Sequence, residues 1–258
     1  MKHLYIVGIC CLILAGCAPS QEDQLAKIRE IEKSEKSGTE EGLKEIAKLH
    51  KDYGMKYQDA EANNLLYAAA QYYFFEDEHS ESELLFKEYL SRDDSSERYR
   101  NAMINLAMVY GVQEKYVEAD TLITKLLDTD LPTAAQWQDI IKLYQDKITA
   151  KDNLIPENYE RLAMAYTAVG RFQNATESLE TAINDFPSYE KRGNLLYRAG
   201  FIGWEYLKDS EVARKFYNQF LEEYPDDPKV DEVQQILASG MLEMSDEDIL
   251  EMLKGKGK

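Results

Sequence analysis

Apolar residues recur at helical spacing in paired segments along most of the chain, and the pairs repeat after about 34 residues. The clearest copy begins at Pro156, and its bulky, small and turn positions are Tyr159, Leu162, Ala163, Tyr166, Gly170, Phe172, Ala175, Leu179, Ala182 and Pro187. Small residues at fixed places let two helices approach closely, while bulky ones fill the space between neighbouring pairs. No stretch alternates as a strand does. The pattern therefore predicts an all-α fold, a solenoid of helical hairpins.

Three further copies of the pattern begin near Asn63, Arg100 and Asn194. They place two repeats over residues 63–131 and, together with the copy at Pro156, two repeats over residues 156–228. Weaker amphipathic segments flank these repeats. Residues 25–62 are expected to form a degenerate N-terminal helical pair, and residues 229–258 are expected to form C-terminal capping helices with a basic tail.

Residues 132–155 are expected to form only half of a repeat. Thr133 can cap a helix that carries Trp137 and Tyr144 in the register of a first repeat helix. Pro156 then opens the next repeat too soon for a second helix to fit. We therefore expect a single helix, a loop from Lys151 to Ile155, and a bend or offset in the stack.

The N-terminus has the features of a signal peptide over residues 1–16: a basic start, an apolar stretch from Leu4 to Leu14, and small residues before a cut. The run Leu14-Ala15-Gly16-Cys17 resembles the lipobox of bacterial lipoproteins. That resemblance implies acyl chains on Cys17 as the lipid attachment site and makes residues 17–24 a tether. The alternative is a cleaved secretory protein in which this cysteine is accidental. No second apolar run is long enough to span a bilayer.

Composition argues against several classes of function. The formal net charge is −18, so the chain repels phosphate backbones, and nucleic acid is not expected as a partner. Beyond the signal segment the only histidines are His50 and His79, and they fall on different predicted helices. We therefore expect no metal site, no cofactor other than the acyl chains on Cys17, and no enzymatic activity.

The repeat pattern resembles the tetratricopeptide repeat. Over Gly200 to Asp209, Phe220 to Pro228 and the acidic run Ser245 to Ile249, the chain resembles tetratricopeptide outer-membrane lipoproteins of the Bacteroidetes type. In overall plan it is also similar to the lipoprotein subunit of the β-barrel assembly machinery. These resemblances imply a scaffold in the cell envelope, lipid-anchored in the outer membrane. Ala18 follows the cysteine instead of an aspartate, which favours the outer membrane; a periplasmic face is preferred, and the leaflet stays open.

Arrays of this class bind partners on a concave surface lined by first-helix positions. The candidate contact positions are Asn64, Tyr67, Gln71, Phe74, Ile104, Met108, Glu160, Met164, Arg198 and Ile202. Their mixed apolar and charged character suits an amphipathic or extended segment of another envelope protein. The alternative is that several of them are buried between repeats. The predicted function is a scaffold or adaptor for envelope proteins, with outer-membrane protein assembly as one setting. A surface lipoprotein that captures glycans is the alternative function.

Overall fold

The computed structural model describes residues 19–92, 97–129, 131–150 and 155–256, and within them every regular element is a helix. This confirms the predicted all-α, hairpin-based class. Cys17 and residues 151–154 of the predicted loop lie outside the described residues. The chain divides into two compact units, Met1–Arg92 and Asp93–Lys258.

The first unit consists of helices packed in the order of the chain. They are α1 (Gln21–Glu32), α2 (Glu40–Lys56), α3 (Ala60–Phe75) and α4 (His79–Arg92), with a short 3-10 helix (Glu35–Gly38) before α2. Ser20, Thr39 and Asp59 each accept a backbone hydrogen bond at the start of α1, α2 and α3. These side-chain caps satisfy amides that a helix leaves unpaired, which is why the helices begin there.

Helix α1 is attached to α2 by both polar and apolar contacts. Nε2 of His50 lies 2.8 Å from a carboxylate oxygen of Glu32, and Ile28 is buried in a cluster with Tyr53 and Leu65. Burial lowers the pKa of His50, and the neighbouring Glu32 carboxylate opposes that shift. The predicted N-terminal pair is therefore an integral part of the core of this unit.

The crossing of α2 and α3 depends on a missing side chain. A Cβ atom at Gly54 would lie 2.8 Å from Cβ and 2.9 Å from Cα of Leu66, and Leu66 is fully buried. Because Leu66 Cα is backbone, relief requires the two helices to separate.

In Gly54→Ala, the steric clash should cost about 1–3 kcal/mol of folding free energy. Alanine regains roughly 1 kcal/mol because it favours the helix over glycine. The free energy of unfolding should fall by the difference. The matched control is Gly38→Ala, because a Cβ atom there meets nothing within 4 Å. Urea unfolding of both variants, followed by circular dichroism, measures the difference. Equal midpoints for the two would contradict the close crossing.

The second unit continues the pattern with nine described helices. They are α5 (Glu97–Val112), α6 (Tyr116–Thr129), α7 (Ala134–Thr149), α8 (Pro156–Ala168), α9 (Phe172–Asp185), α10 (Arg192–Glu205), α11 (Ser210–Glu223), α12 (Val230–Ser239) and α13 (Asp246–Lys256). Gly170 joins α8 to α9 with φ of 74°, a left-handed conformation that glycine adopts without strain. Thr133 and Gln136 form a capping box at the start of α7.

Helix α7 follows the α5–α6 hairpin and precedes the α8–α9 hairpin. It packs against α5 on one side and α8 on the other, and Leu143 of α7 closes directly on Gly111 of α5. In a stack of hairpins, first and second helices lie on opposite sides. One extra helix between two hairpins exchanges the sides for all later helices, so that α6, α8 and α10 come to one side. Side chains bridge these three helices: Arg161 reaches Thr124 at 3.0 Å, and Arg198 reaches Glu160 at 3.2 Å.

Candidate functional site

The four contact positions predicted in the first unit differ in accessibility. Asn64 is exposed, Gln71 and Phe74 are half-buried, and Tyr67 is buried. The ring of Tyr67 packs against the rings of Phe86 and Tyr89, with centroids 6.0 Å and 5.2 Å away. Tyr67 is thus held in the helix interface, and the other three positions remain open to solvent.

In the second unit, Ile104 is fully buried and Ile202 is 3% exposed. Their assignment as accessible contact positions is corrected here, because both side chains are enclosed by their own unit and belong to its core. Met108 is half-buried on α5. Helix α5 packs against both α6 and α7, and Met108 is not among the residues that line the pocket formed by the remaining predicted positions.

Glu160, Met164 and Arg198, the other three predicted positions, come together in one pocket of about 420 Å³. Helices α6, α8 and α10 supply most of its lining, and Lys191 stands at the start of α10. The lining residues are Asp120, Glu157, Asn158, Glu160, Arg161, Met164, Lys191 and Arg198. We take this α6–α8–α10 pocket as the candidate functional site.

The carboxylate of Glu160 is held by two donors on the wall of the pocket. Arg198 donates from 3.2 Å and the Tyr189 hydroxyl donates from 3.1 Å. Burial, and then the Glu160 charge, raise the pKa of Tyr189, so this phenol keeps its proton and remains a donor. The Glu160 carboxylate is therefore held in place by two donors in the pocket that Met164 also lines.

The carboxylate of Asp120, which also lines the pocket, is likewise held by two donors. Nζ of Lys147 lies 2.6 Å from Asp120 Oδ1, and the Tyr144 hydroxyl donates to the same oxygen from 2.9 Å. The Lys147 side chain is only 1% exposed. Burial lowers the pKa of Lys147, the Asp120 carboxylate opposes that shift, and the nearby Arg161 guanidinium adds to it. Lys147 is therefore a buried cation paired with Asp120 of the pocket lining.

Sequence reasoning missed Asp120, Lys147 and Arg161. The signal for Lys147 was present: it follows Trp137, Ile140 and Tyr144 at helical spacing on the apolar stripe of α7. A lysine on such a stripe is expected to need a buried partner. Asp120 and Arg161 carry no comparable signal, because their places depend on the offset that α7 introduces.

Two searches of the described residues gave negative results. No group of three or more His, Cys, Asp or Glu side chains within 19–92, 97–129, 131–150 and 155–256 could hold a metal ion. In the same part of the chain, no helix combines the length and the apolar character needed to cross a membrane.

No protein-family model matches the chain, and no curated protein matches it.

Proposed function

We propose that this protein is a membrane-anchored scaffold that binds other proteins of the bacterial cell envelope, with the lipid on Cys17 as its anchor. The observation that carries the proposal is the α6–α8–α10 pocket, an accessible concavity that contains both charged side chains and the adaptable Met164. Helical-hairpin arrays commonly bind partners on such concave surfaces. Outer-membrane protein assembly is one process that a scaffold of this kind would serve.

The composition of the pocket suits a protein segment. Methionine fits apolar side chains of different shapes, while Glu160 and Arg198 are fixed by mutual pairing and offer both an acceptor and donors. The net charge of −18 disfavours polyanionic partners at long range. A segment with apolar and mixed charged residues is complementary to these features.

The test is mild crosslinking of the full chain in its native membrane, followed by identification of captured envelope proteins. Met164→Glu should reduce capture about ten-fold, because it adds a third carboxylate beside Glu157 and Glu160 and removes an apolar contact. The matched control is Met55→Glu, the same change at an exposed methionine of the first unit.

The possible results of this experiment have different consequences for the pocket and for the scaffold function. Loss of capture by Met164→Glu but not by Met55→Glu, with unchanged thermal midpoints, supports a protein-binding pocket. Equal capture by all three chains would place the binding site elsewhere. Capture of no envelope protein by the unmodified chain would overturn the scaffold function.

A further inference from the structure

Arg161 is a half-buried charged side chain of the pocket lining, whereas Glu157 and Lys191, which also line the pocket, are exposed. Its Nη2 donates to the hydroxyl of Thr124 at 3.0 Å, and no carboxylate in the part of the chain that the structure describes forms an ion pair with it. A hydroxyl uses one of the five N–H donors of a guanidinium and neutralises none of its charge. Arg161 is half-buried and lines the cavity.

Two of the three carboxylates in the pocket lining already accept hydrogen bonds from other side chains. Asp120 accepts from Lys147 and Tyr144, and Glu160 accepts from Arg198 and Tyr189. The Arg161 guanidinium is near enough to act on the charge of Lys147, and Asp120, the partner of Lys147, lines the same pocket as Arg161. Burial is the main cause of the lowered pKa of Lys147, and the Arg161 charge adds a smaller shift in the same direction.

We propose that Arg161 binds a carboxylate side chain from a partner protein, with Met164 contacting the apolar part of the same segment. This inference rests on the proposed binding function and names its chemistry. The planar guanidinium matches a carboxylate with two parallel hydrogen bonds, and partial burial strengthens them. The pocket volume of about 420 Å³ accommodates one or two side chains and excludes a folded domain.

The other charges of this protein limit which residues can flank the carboxylate in the partner segment. A net charge of −18 repels a segment that is acidic along its length. Glu157 also lines the pocket and offers an acceptor to a basic residue. The partner segment therefore carries one aspartate or glutamate among apolar and basic residues.

The probe is a displayed library of short random linear segments, selected for binding to the full chain. The strongest binder is then synthesised with both termini blocked, in an acidic form and in a form with glutamine or asparagine replacing the acidic residue. A third form keeps that amide and frees the C-terminal carboxylate. We expect the acidic form to bind about ten-fold or more tightly than the amide form. Recovery of affinity in the third form would identify a chain terminus as the source and overturn the side-chain assignment.

Variants of the protein locate the interaction. Arg161→Gln should abolish the preference for the acidic form, and Arg161→Lys should retain part of it as a single point charge. The matched control is Arg171→Gln, the same change of charge at an exposed arginine outside the pocket, which should keep the preference. Thermal midpoints show whether each variant folds. The preference of the unmodified chain for the acidic form tests the inference without any variant.

Several outcomes would overturn the inference: no bound segment, no preference for an acidic residue, the same preference in Arg161→Gln, or its loss in Arg171→Gln. Failure here is distinguishable from failure of the proposed function. If Met164→Glu reduces capture of envelope proteins while Arg161→Gln changes no acidic preference, the scaffold function stands and the carboxylate site does not.

Discussion

Asp120→Ala is expected to lower the free energy of unfolding of the second unit by about 3 kcal/mol. The change removes the acceptor for both the Lys147 ammonium and the Tyr144 hydroxyl, which lie 2.6 Å and 2.9 Å from it. The lost stability comes from the Lys147 ammonium, which stays buried without its partner. The Lys147 side chain is 1% exposed, whereas that of Asp120 is 39% exposed. Water can solvate the carboxylate but cannot reach the ammonium.

A second substitution separates this explanation from a general weakening of α6. Adding Lys147→Met to Asp120→Ala removes the buried charge and should restore most of the lost stability, since apolar replacement of a buried pair is close to neutral. The matched control is Asp128→Ala at the exposed end of the same helix, with an expected change below about 0.5 kcal/mol. Equal losses in Asp120→Ala and Asp128→Ala would contradict the importance of the pair.

The pH dependence of Asp120→Ala supplies an independent readout. The folded state lowers the pKa of Lys147 by burial, and loss of Asp120 lowers it further. The unfolded chain then binds more protons than the folded one, so stability rises with pH. Urea midpoints of Asp120→Ala should increase as the pH rises toward the unfolded pKa of lysine, about 10.4, whereas those of the Lys147→Met double variant should not.

The sequence was sufficient to predict the helices and their pairing because both depend on local spacing. Thr133 and the apolar residues after it indicate α7, and Pro156 indicates the start of α8; each helix begins where predicted. Counting residues also predicted that a single helix fits between Thr133 and Pro156, and α7 is the one described helix there. What counting did not provide was the side on which later helices would lie, since this depends on how α7 packs between α5 and α8.

That offset bears on which of the predicted contact positions lie together. Glu160, Met164 and Arg198 lie on helices after α7 and meet in one pocket. Ile104 lies before α7, was assigned to the same surface by repeat register, and is fully buried. The pocket also gains Asp120 from a second repeat helix, which no register of first helices could indicate.

Cys17→Ser is expected to move the protein from the membrane fraction to the soluble fraction almost completely. Each buried methylene of an acyl chain contributes about 0.8 kcal/mol, so the acyl chains proposed on Cys17 would make release negligible, and a serine accepts none by the thioether route. The described structure begins beyond this residue, and Ser20 caps α1 by contacts within its own first turn. The thermal midpoint of the folded part should therefore be unchanged.

The control for Cys17→Ser is Ser20→Ala, which leaves the lipobox intact and removes the cap of α1. It should stay in the membrane fraction and lose about 1 kcal/mol of stability, the opposite pattern to Cys17→Ser. Fractionation after a high-salt wash distinguishes a lipid anchor from ionic adsorption, because salt screens only the latter. Retention of Cys17→Ser on membranes after that wash would exclude the cysteine as the anchor and would transfer attachment to a bound partner protein.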